Sequence, residues 1–445
     1  MTPFRANATS ADLPPHSQVT IPVLTRRFLG YLSADGLTYL LGFTIYGWLV
    51  RVLSNQQYGK LSIATTLYQT LMMVAALGLD LTGAALIKES GSDCIAFARR
   101  AQKLRLIVAL LICAPLQAGA ALVAWKHKDV LLATLIVASF SMVLARALDL
   151  TYLAVALRVP APLAKTRALG LAIYLALLLL CTPLVRQHLW LVPILNAIGV
   201  TIGRVELGRL LRRHAIPSGN LCLIRFSQLL AEGVKAGGGQ LLLLILQTGD
   251  VILLAKYVSA DVLGQYAIIS RLYVLGLAVL GAMFNTFLPE IVHVADRVEV
   301  LKVVFLKSIA ANLALGVVGG ASFYWLSAPL SEFLGHRSLT SVHAISPVFA
   351  LVFLLMAIAN PFLSILPSLR RGFEYLICVA SGLLVLLVID LIFIPRQGAI
   401  AAAWGQTVAT AYLGFFSMIV FFRHARLMRT AAVKAAVELT LVIRD

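Results

Sequence analysis

Residues 104–125 read LRLIVALLICAPLQAGAALVAW, and after Lys126-His127-Lys128-Asp129 residues 130–157 read VLLATLIVASFSMVLARALDLTYLAVAL. Each run exceeds the about 20 mostly apolar residues that carry a helix across about 30 Å of hydrocarbon. The polar break between them is a short loop bearing Lys126 and Lys128. The same alternation recurs in both directions. Spans fall at 28–50, 60–87, 104–125, 130–157, 168–185, 188–208, 226–254, 264–289, 303–326, 342–367, 373–394 and 398–422. In the seventh, Glu232, Lys235 and Gly237-Gly238-Gly239 interrupt the apolar run. The expected fold class is therefore an all-α integral membrane protein of about twelve transmembrane helices. Composition agrees: 60% of residues are hydrophobic and 13% charged, against about 45–50% and about 25% in soluble domains.

The formal net charge of +18 does not point to nucleic acid, because its distribution follows the positive-inside rule. With the N-terminus inside, 25 of the 37 Lys and Arg fall on the cytoplasmic segments and 8 on the opposite loops. That bias predicts an even number of crossings, with both termini cytoplasmic in a bacterial inner membrane. Residues 1–27 are polar, contain Pro14, Pro15 and Pro22, and lack an apolar region with a cleavage site, so they read as a disordered cytoplasmic tail rather than a signal peptide. Residues 423–445 form a second tail, in which Thr430–Val442 is either an amphipathic helix at the interface or frayed chain. The five cysteines have no paired spacing and suggest neither a disulfide framework nor a metal site. No Gly-x4-Gly-Lys-Ser/Thr loop is present, and no cofactor is expected.

Two stretches align without gaps at an offset of 205 residues. Leu49-Val50-Arg51-Val52-Leu53-Ser54 matches Leu254-Ala255-Lys256-Tyr257-Val258-Ser259, and Gly59 matches Gly264. Leu67-Tyr68 then meets Leu272-Tyr273. Each copy is a helix end, a short polar outer loop, a glycine and the next helix. The repeat predicts two six-helix lobes, 28–215 and 220–422, with a site near the midplane between them.

The hairpin Arg51-Val52-Leu53-Ser54-Asn55-Gln56-Gln57-Tyr58-Gly59 resembles the outer hairpin of polysaccharide-export flippases. Leu77-Gly78-Leu79-Asp80-Leu81 with Lys88-Glu89 resembles the end of their second helix. Asp250-Val251-Ile252-Leu253-Leu254 through Gly264-Gln265-Tyr266-Ala267 resembles their seventh-to-eighth helix hairpin, and Phe287-Leu288-Pro289-Glu290 the close of helix eight. In length and topology the chain is similar to the Wzx-type branch of the multidrug/oligosaccharidyl-lipid/polysaccharide exporter superfamily. The resemblance implies two lobes around a central cavity that opens alternately to either side. It also implies a lipid-linked oligosaccharide substrate on a polyprenyl pyrophosphate, with membrane lipids, a polysaccharide polymerase and other assembly proteins as partners.

Charges within hydrocarbon cost about 2.5–3.5 kcal/mol each on insertion scales and point to function. The basic set is Arg146, Arg204, Lys235 and Arg271. Arg146 either meets a pyrophosphate through its planar fork or pairs with Asp149 three residues on. Lys235 has Glu232 at the same spacing and is either a substrate contact or half of an ion pair. Arg271 has no acid beside it in sequence and either lines the cavity or reaches the interface with its long stem, whereas Arg204, near Glu206 and Arg209, reads as interfacial. Candidate substrate-binding residues are thus Arg146, Lys235 and Arg271. Candidate gating or ion-coupling acids are Asp35, Asp80 and Asp149, with hydrogen bonding between helices as the other reading of Asp35 and Asp80; Asp250 and Asp390 are expected to reach the outer surface. Two other functions compete with the flippase reading. A drug or metabolite antiporter of the same superfamily would need a dominant buried acid. A membrane-embedded polymerase or ligase would need a large outer loop bearing Arg and His, which Glu332, His336 and Arg337 match only sparsely.

Overall fold

The computed structural model describes residues 21–80, 83, 87, 94–157, 160–214, 226–293, 298–335, 340–368 and 371–442. Among these residues every regular element is helical, and they make twelve passes. We label them α1 (Ile21–Val52), α2 (Asn55–Ala76), α3 (Cys94–Val108, a π turn Ala109–Cys113, then Ala114–Lys126) and α4 (Val130–Ala147, then Thr151–Ala156). They continue with α5 (Pro160–Leu180, then Thr182–Gln187), α6 (Leu191–His214), α7 (Phe226–Thr248, then Asp250–Tyr257) and α8 (Ala260–His293). The last are α9 (Val298–Gly335), α10 (Thr340–Ser368), α11 (Gly372–Gln397) and α12 (Ala399–Val442), so Thr430–Val442 is helical and continuous with the last pass. Ten of the twelve are long and apolar enough to cross a membrane.

Local chemistry sets the ends and breaks. Ser54 opens α2 with a capping box: its Oγ accepts from the Gln57 N–H, and the Gln57 side chain accepts from the Ser54 N–H. Asp129 caps α4 by accepting from the Leu132 N–H, and also holds Lys60 of α2 at 2.8 Å. Leu77 and Gly78 adopt left-handed backbone (φ 53° and 60°), which ends α2 short of the expected 60–87 span. In α3 the π turn immediately precedes Ala114-Pro115. Proline lacks an N–H and its ring crowds the carbonyl four residues back, and the widened turn accommodates both.

The exterior is apolar: Leu111, Leu180, Trp325 and Phe373 are each at least 70% exposed. A soluble monomer does not present such surface all round. Inside, α10 is the central helix of its half, packed against α8, α9 and α12. Its three internal prolines are tolerated there, and Asn360 bridges to α8 by donating to the Leu280 carbonyl at 3.3 Å. The two halves of the chain meet mainly where α1 and α2 pack on α7, α8 and α9.

The tightest of those contacts joins the two repeat glycines. A Cβ on Gly59 would stand 2.4 Å from the Ala260 carbonyl oxygen, and one on Gly264 would stand 2.0 Å from that of Asn55. Each glycine lies four residues after the residue the other one faces, so the contact is reciprocal. Only glycine permits backbones this close.

Candidate functional site

Three buried polar centres lie in the helical bundle. The first is an ion network at the end of the N-terminal half that carries the α4–α5 connection. Arg105 of α3 is fully buried and donates to Asp80 at 3.0 Å and to the Asp149 carbonyl at 2.9 Å, with its guanidinium 5.0 Å from the Tyr152 ring centroid. Arg146 pairs with Asp80 through one terminal nitrogen and with Asp149 through the other. Arg204 of α6 reaches Asp149 at 3.3 Å. Asp149 also accepts from the Thr151 N–H and hydroxyl, which caps the second segment of α4. Among the described side chains three arginines therefore face two aspartates. Arg146 Nε and Arg204 Nη1 remain buried with no acceptor, as does the Thr38 hydroxyl. Each such group forgoes about 1–3 kcal/mol of hydrogen bonding. All three residues line one cavity of about 340 Å³.

The second centre is a cavity of about 170 Å³ between the halves, lined by Tyr46 (α1), Tyr58 and Tyr68 (α2), Tyr174 (α5), Asn196 (α6) and Arg271 (α8). Tyr46 donates to the Ile268 carbonyl at 3.0 Å, tying α1 to α8, and its ring meets that of Tyr58 edge to face. Arg271 has a single long hydrogen bond, 3.4 Å to Gln69, and no carboxylate within ion-pair distance among the described residues. It is a cation facing aromatic edges and hydroxyls.

The third centre lies in the C-terminal half. Asp250 and Asp390 are each only 1% exposed. Asp250 accepts from the Tyr266 hydroxyl, from the Val251 N–H at 2.8 Å and from Gln406 at 3.4 Å. Asp390 lies within electrostatic reach of Asp250, and both of its oxygens, like Gln406 Oε1, are buried without a donor. Its Oδ1 would be 2.3 Å from a Cβ on residue 405, a space that Gly405 leaves open. The unsatisfied groups thus differ in kind between the two centres, donors around Arg146 and Arg204 and acceptors around Asp390.

Residues 24–295 match the sequence profile of a family described as polysaccharide biosynthesis protein. The chain belongs to the polysaccharide biosynthesis protein family. No curated protein matches this family member by sequence. Its fold is that of the MOP-superfamily transporters. An inward-facing multidrug-resistance MATE transporter of that superfamily superposes with a TM-score of 0.67 at 12% identity, covering 88% of this chain and 95% of that one. A Vibrio cholerae MATE transporter gives 0.65 at 13%, covering 91% and 98%. A Pyrococcus furiosus MOP-superfamily transporter, described as having a binding pocket of reverse polarity, gives 0.65 at 12%, covering 92% and 96%.

Within this polysaccharide biosynthesis family member, the residues singled out in sequence are distributed unevenly. Arg146, Asp80 and Asp149 come together, and Arg146 is held by both carboxylates. Arg204, expected at the interface, is instead mostly buried in the same network. Arg271 stands apart, in the tyrosine cavity. Asp250 and Asp390 do not reach the outer surface: they are enclosed, because α7, α11 and α12 pack over them. Arg105, at the start of the 104–125 span, is a core residue. Lys235 on α7 and Asp35 on α1 have side chains outside the described residues. Of the four cavity tyrosines, Tyr58 and Tyr68 stood in the hairpin and the repeat, but nothing in sequence marked Tyr46 or Tyr174, and only tertiary packing converges the four.

Proposed function

We propose that the chain is a flippase of the Wzx-type branch that carries a polyprenyl-pyrophosphate-linked oligosaccharide across the bacterial inner membrane for surface-polysaccharide assembly. It acts as a transporter and neither polymerises nor ligates the glycan; a polysaccharide polymerase and other assembly proteins receive the product. Two six-helix lobes, 28–215 and 220–422, rock about the site between them, with the tails 1–27 and 423–445 on the cytoplasmic side. The observation that carries this reading is the Arg271 cavity, where a cation with no carboxylate partner among the described residues faces four tyrosines of the other lobe. Tyrosine offers a saccharide both an apolar ring face and a hydroxyl, and a guanidinium takes anionic oxygens through a planar fork. At about 170 Å³ the cavity is below the about 300–1,000 Å³ of common ligand pockets. Passage of an oligosaccharide therefore requires the lobes to part.

A drive is needed, and the Asp250–Asp390–Gln406 acceptor cluster is suited to a proton or small cation that enters as the substrate leaves. The test is flipping of a fluorescent polyprenyl-pyrophosphate oligosaccharide in proteoliposomes. Charge-assisted hydrogen bonds contribute about 1.5–3 kcal/mol, so Arg271→Ala lowers the rate about 10- to 150-fold with protein abundance unchanged, and Arg271→Lys restores part of it. Unchanged flipping by Arg271→Ala removes the reading. The acid cluster also favours a second reading, an ion-coupled drug or metabolite antiporter of the same superfamily. That reading predicts drug resistance in cells and no flipping of the lipid-linked glycan.

A further inference from the structure

We infer that a groove between α11 and α12 is a binding site for a membrane phospholipid whose headgroup carries a primary ammonium. The groove has a volume of about 420 Å³, larger than either cavity described above, and shares no lining residue with them. Its two helices pack on each other and on α7 and α10, and they are not among the helices that form the seam between the halves. The neighbouring Phe373, Phe415, Ile419 and Phe422 are exposed, so this side of the bundle faces hydrocarbon.

Sequence spacing gives the groove an amphiphilic profile. On α12, Phe416, Val420 and Arg423 succeed one another at steps of four and three, which puts them on one helix face. On α11, Arg371 at the N-cap, Glu374 and Ile377 follow at steps of three. The helices run in opposite directions, joined through Gly398, so the charged residues fall at the same end and the apolar ones lie deeper. Phe416 and Arg423 are seven residues apart, about 10 Å along a helix at about 1.5 Å per residue. An apolar trough closed at one end by charged groups suits a lipid chain and headgroup, and does not suit a water-soluble solute.

The charged end selects the headgroup. Arg371 donates to one Glu374 oxygen at 2.8 Å, which leaves the other without a partner among the described residues. Arg423 is exposed, and no hydrogen bond or ion pair engages it among those residues. Both Glu374 and Arg423 are open to a ligand, one as an acceptor and the other as a donor. A phosphodiester accepts from the guanidinium, and a neighbouring ammonium donates to the carboxylate in a charge-assisted hydrogen bond. A purely basic pocket would favour an anionic lipid, but Glu374 repels a headgroup that carries only negative charge. A choline headgroup keeps the positive charge and has no N–H to donate.

The test is fluorescence quenching in vesicles. The full-length protein, with its five native tryptophans replaced by Phe and Phe416→Trp introduced, is reconstituted in phosphatidylcholine. Phe416 stacks on Tyr412, a contact that an indole keeps. Brominated phosphatidylethanolamine, phosphatidylcholine or phosphatidylglycerol is then titrated in. A second protein retaining only Trp325, exposed on α9, reports the bulk bilayer. Brominated phosphatidylethanolamine should half-quench the reporter at position 416 at a mole fraction about three- to tenfold lower than brominated phosphatidylcholine, as for one charge-assisted hydrogen bond in a partly exposed setting. Trp325 should show no such preference. Glu374→Gln keeps an acceptor for Arg371 and should erase the preference, whereas Arg423→Gln should weaken both lipids alike. Thermal unfolding confirms that each variant is folded, and Ile377→Trp on the facing helix carries the reporter if Phe416→Trp is destabilised. Equal quenching by the three lipids at position 416, a stronger response to phosphatidylglycerol, or a preference that survives Glu374→Gln overturns the inference. No glycan and no transport enter the measurement, so its outcome is independent of the flippase reading.

Discussion

On the proposed alternating-access reading, Gly264 offers the sharpest mechanical test, because the contact it makes would have to break for the lobes to part. A Cβ added there would lie 2.0 Å from the Asn55 oxygen and 2.7 Å from the Asn55 carbonyl carbon. Both atoms belong to backbone at the start of α2, where the capping box holds the chain, so no side-chain rotation relieves the clash. A carbon–oxygen contact recurs no closer than about 3.3 Å, so α2 and α8 must separate by about 1.3 Å. Overpacking of this kind costs about 1–3 kcal/mol. The penalty applies only while the α2–α8 end is closed. Gly264→Ala should therefore shift the population toward the state open at that end by about 5- to 150-fold, at a tenfold change per 1.4 kcal/mol. Spin labels at Gln56 and Asp261, in a background with the five native cysteines replaced, read this as transfer from a short to a long distance population. Gly59→Ala, where the contact would be 2.4 Å to the Ala260 oxygen, should shift it the same way. An unchanged distance distribution with a lowered melting temperature would refute the reasoning, because it would make the contact permanent packing rather than a gate.

Further outcomes follow from the buried charges. Arg146→Ala leaves Asp80 and Asp149 short of a partner in a low-dielectric setting. Breaking a buried pair costs about 3–5 kcal/mol, so membrane abundance should drop, and adding Asp149→Asn should recover part of it; a double variant as poorly expressed as the single one would contradict the network. Arg105→Leu should be at least as damaging to abundance, since its guanidinium is wholly enclosed, and normal expression of that variant would be inconsistent with the described packing. Asp390→Asn removes the charge next to Asp250 while keeping the shape. Substrate binding should survive, whereas transport in proteoliposomes should lose its response to an imposed proton or sodium gradient; a retained response to both would exclude this acid cluster from coupling.

Much of the molecule was legible in the residue order because lipid reads apolarity directly. A helix in hydrocarbon satisfies its own backbone, so length and composition alone mark the passes, and the structure follows them from α1 to α12. Exceptions were local: α2 stops at Leu77 because left-handed backbone intervenes, which its apolar side chains do not announce. The Arg146–Asp149 pair was also legible, since residues three apart share a helix face.

Pairing between helices was not. Asp80 lies 66 residues from Arg146, and Arg204 lies 55 from Asp149. Whether such groups meet depends on how each helix is rotated toward its neighbours, which an apolar run leaves open because every face of it is compatible with lipid. The same indeterminacy hid the burial of Asp250, Asp390 and Arg105 and concealed the convergence of four tyrosines on Arg271. The 205-residue repeat named Gly59 and Gly264 as equivalent positions, but only tertiary packing brought them into contact. Sequence by itself determined how many helices there are and which residues they carry; the packing of one helix on another decided which charges were neutralised and which were left facing a cavity.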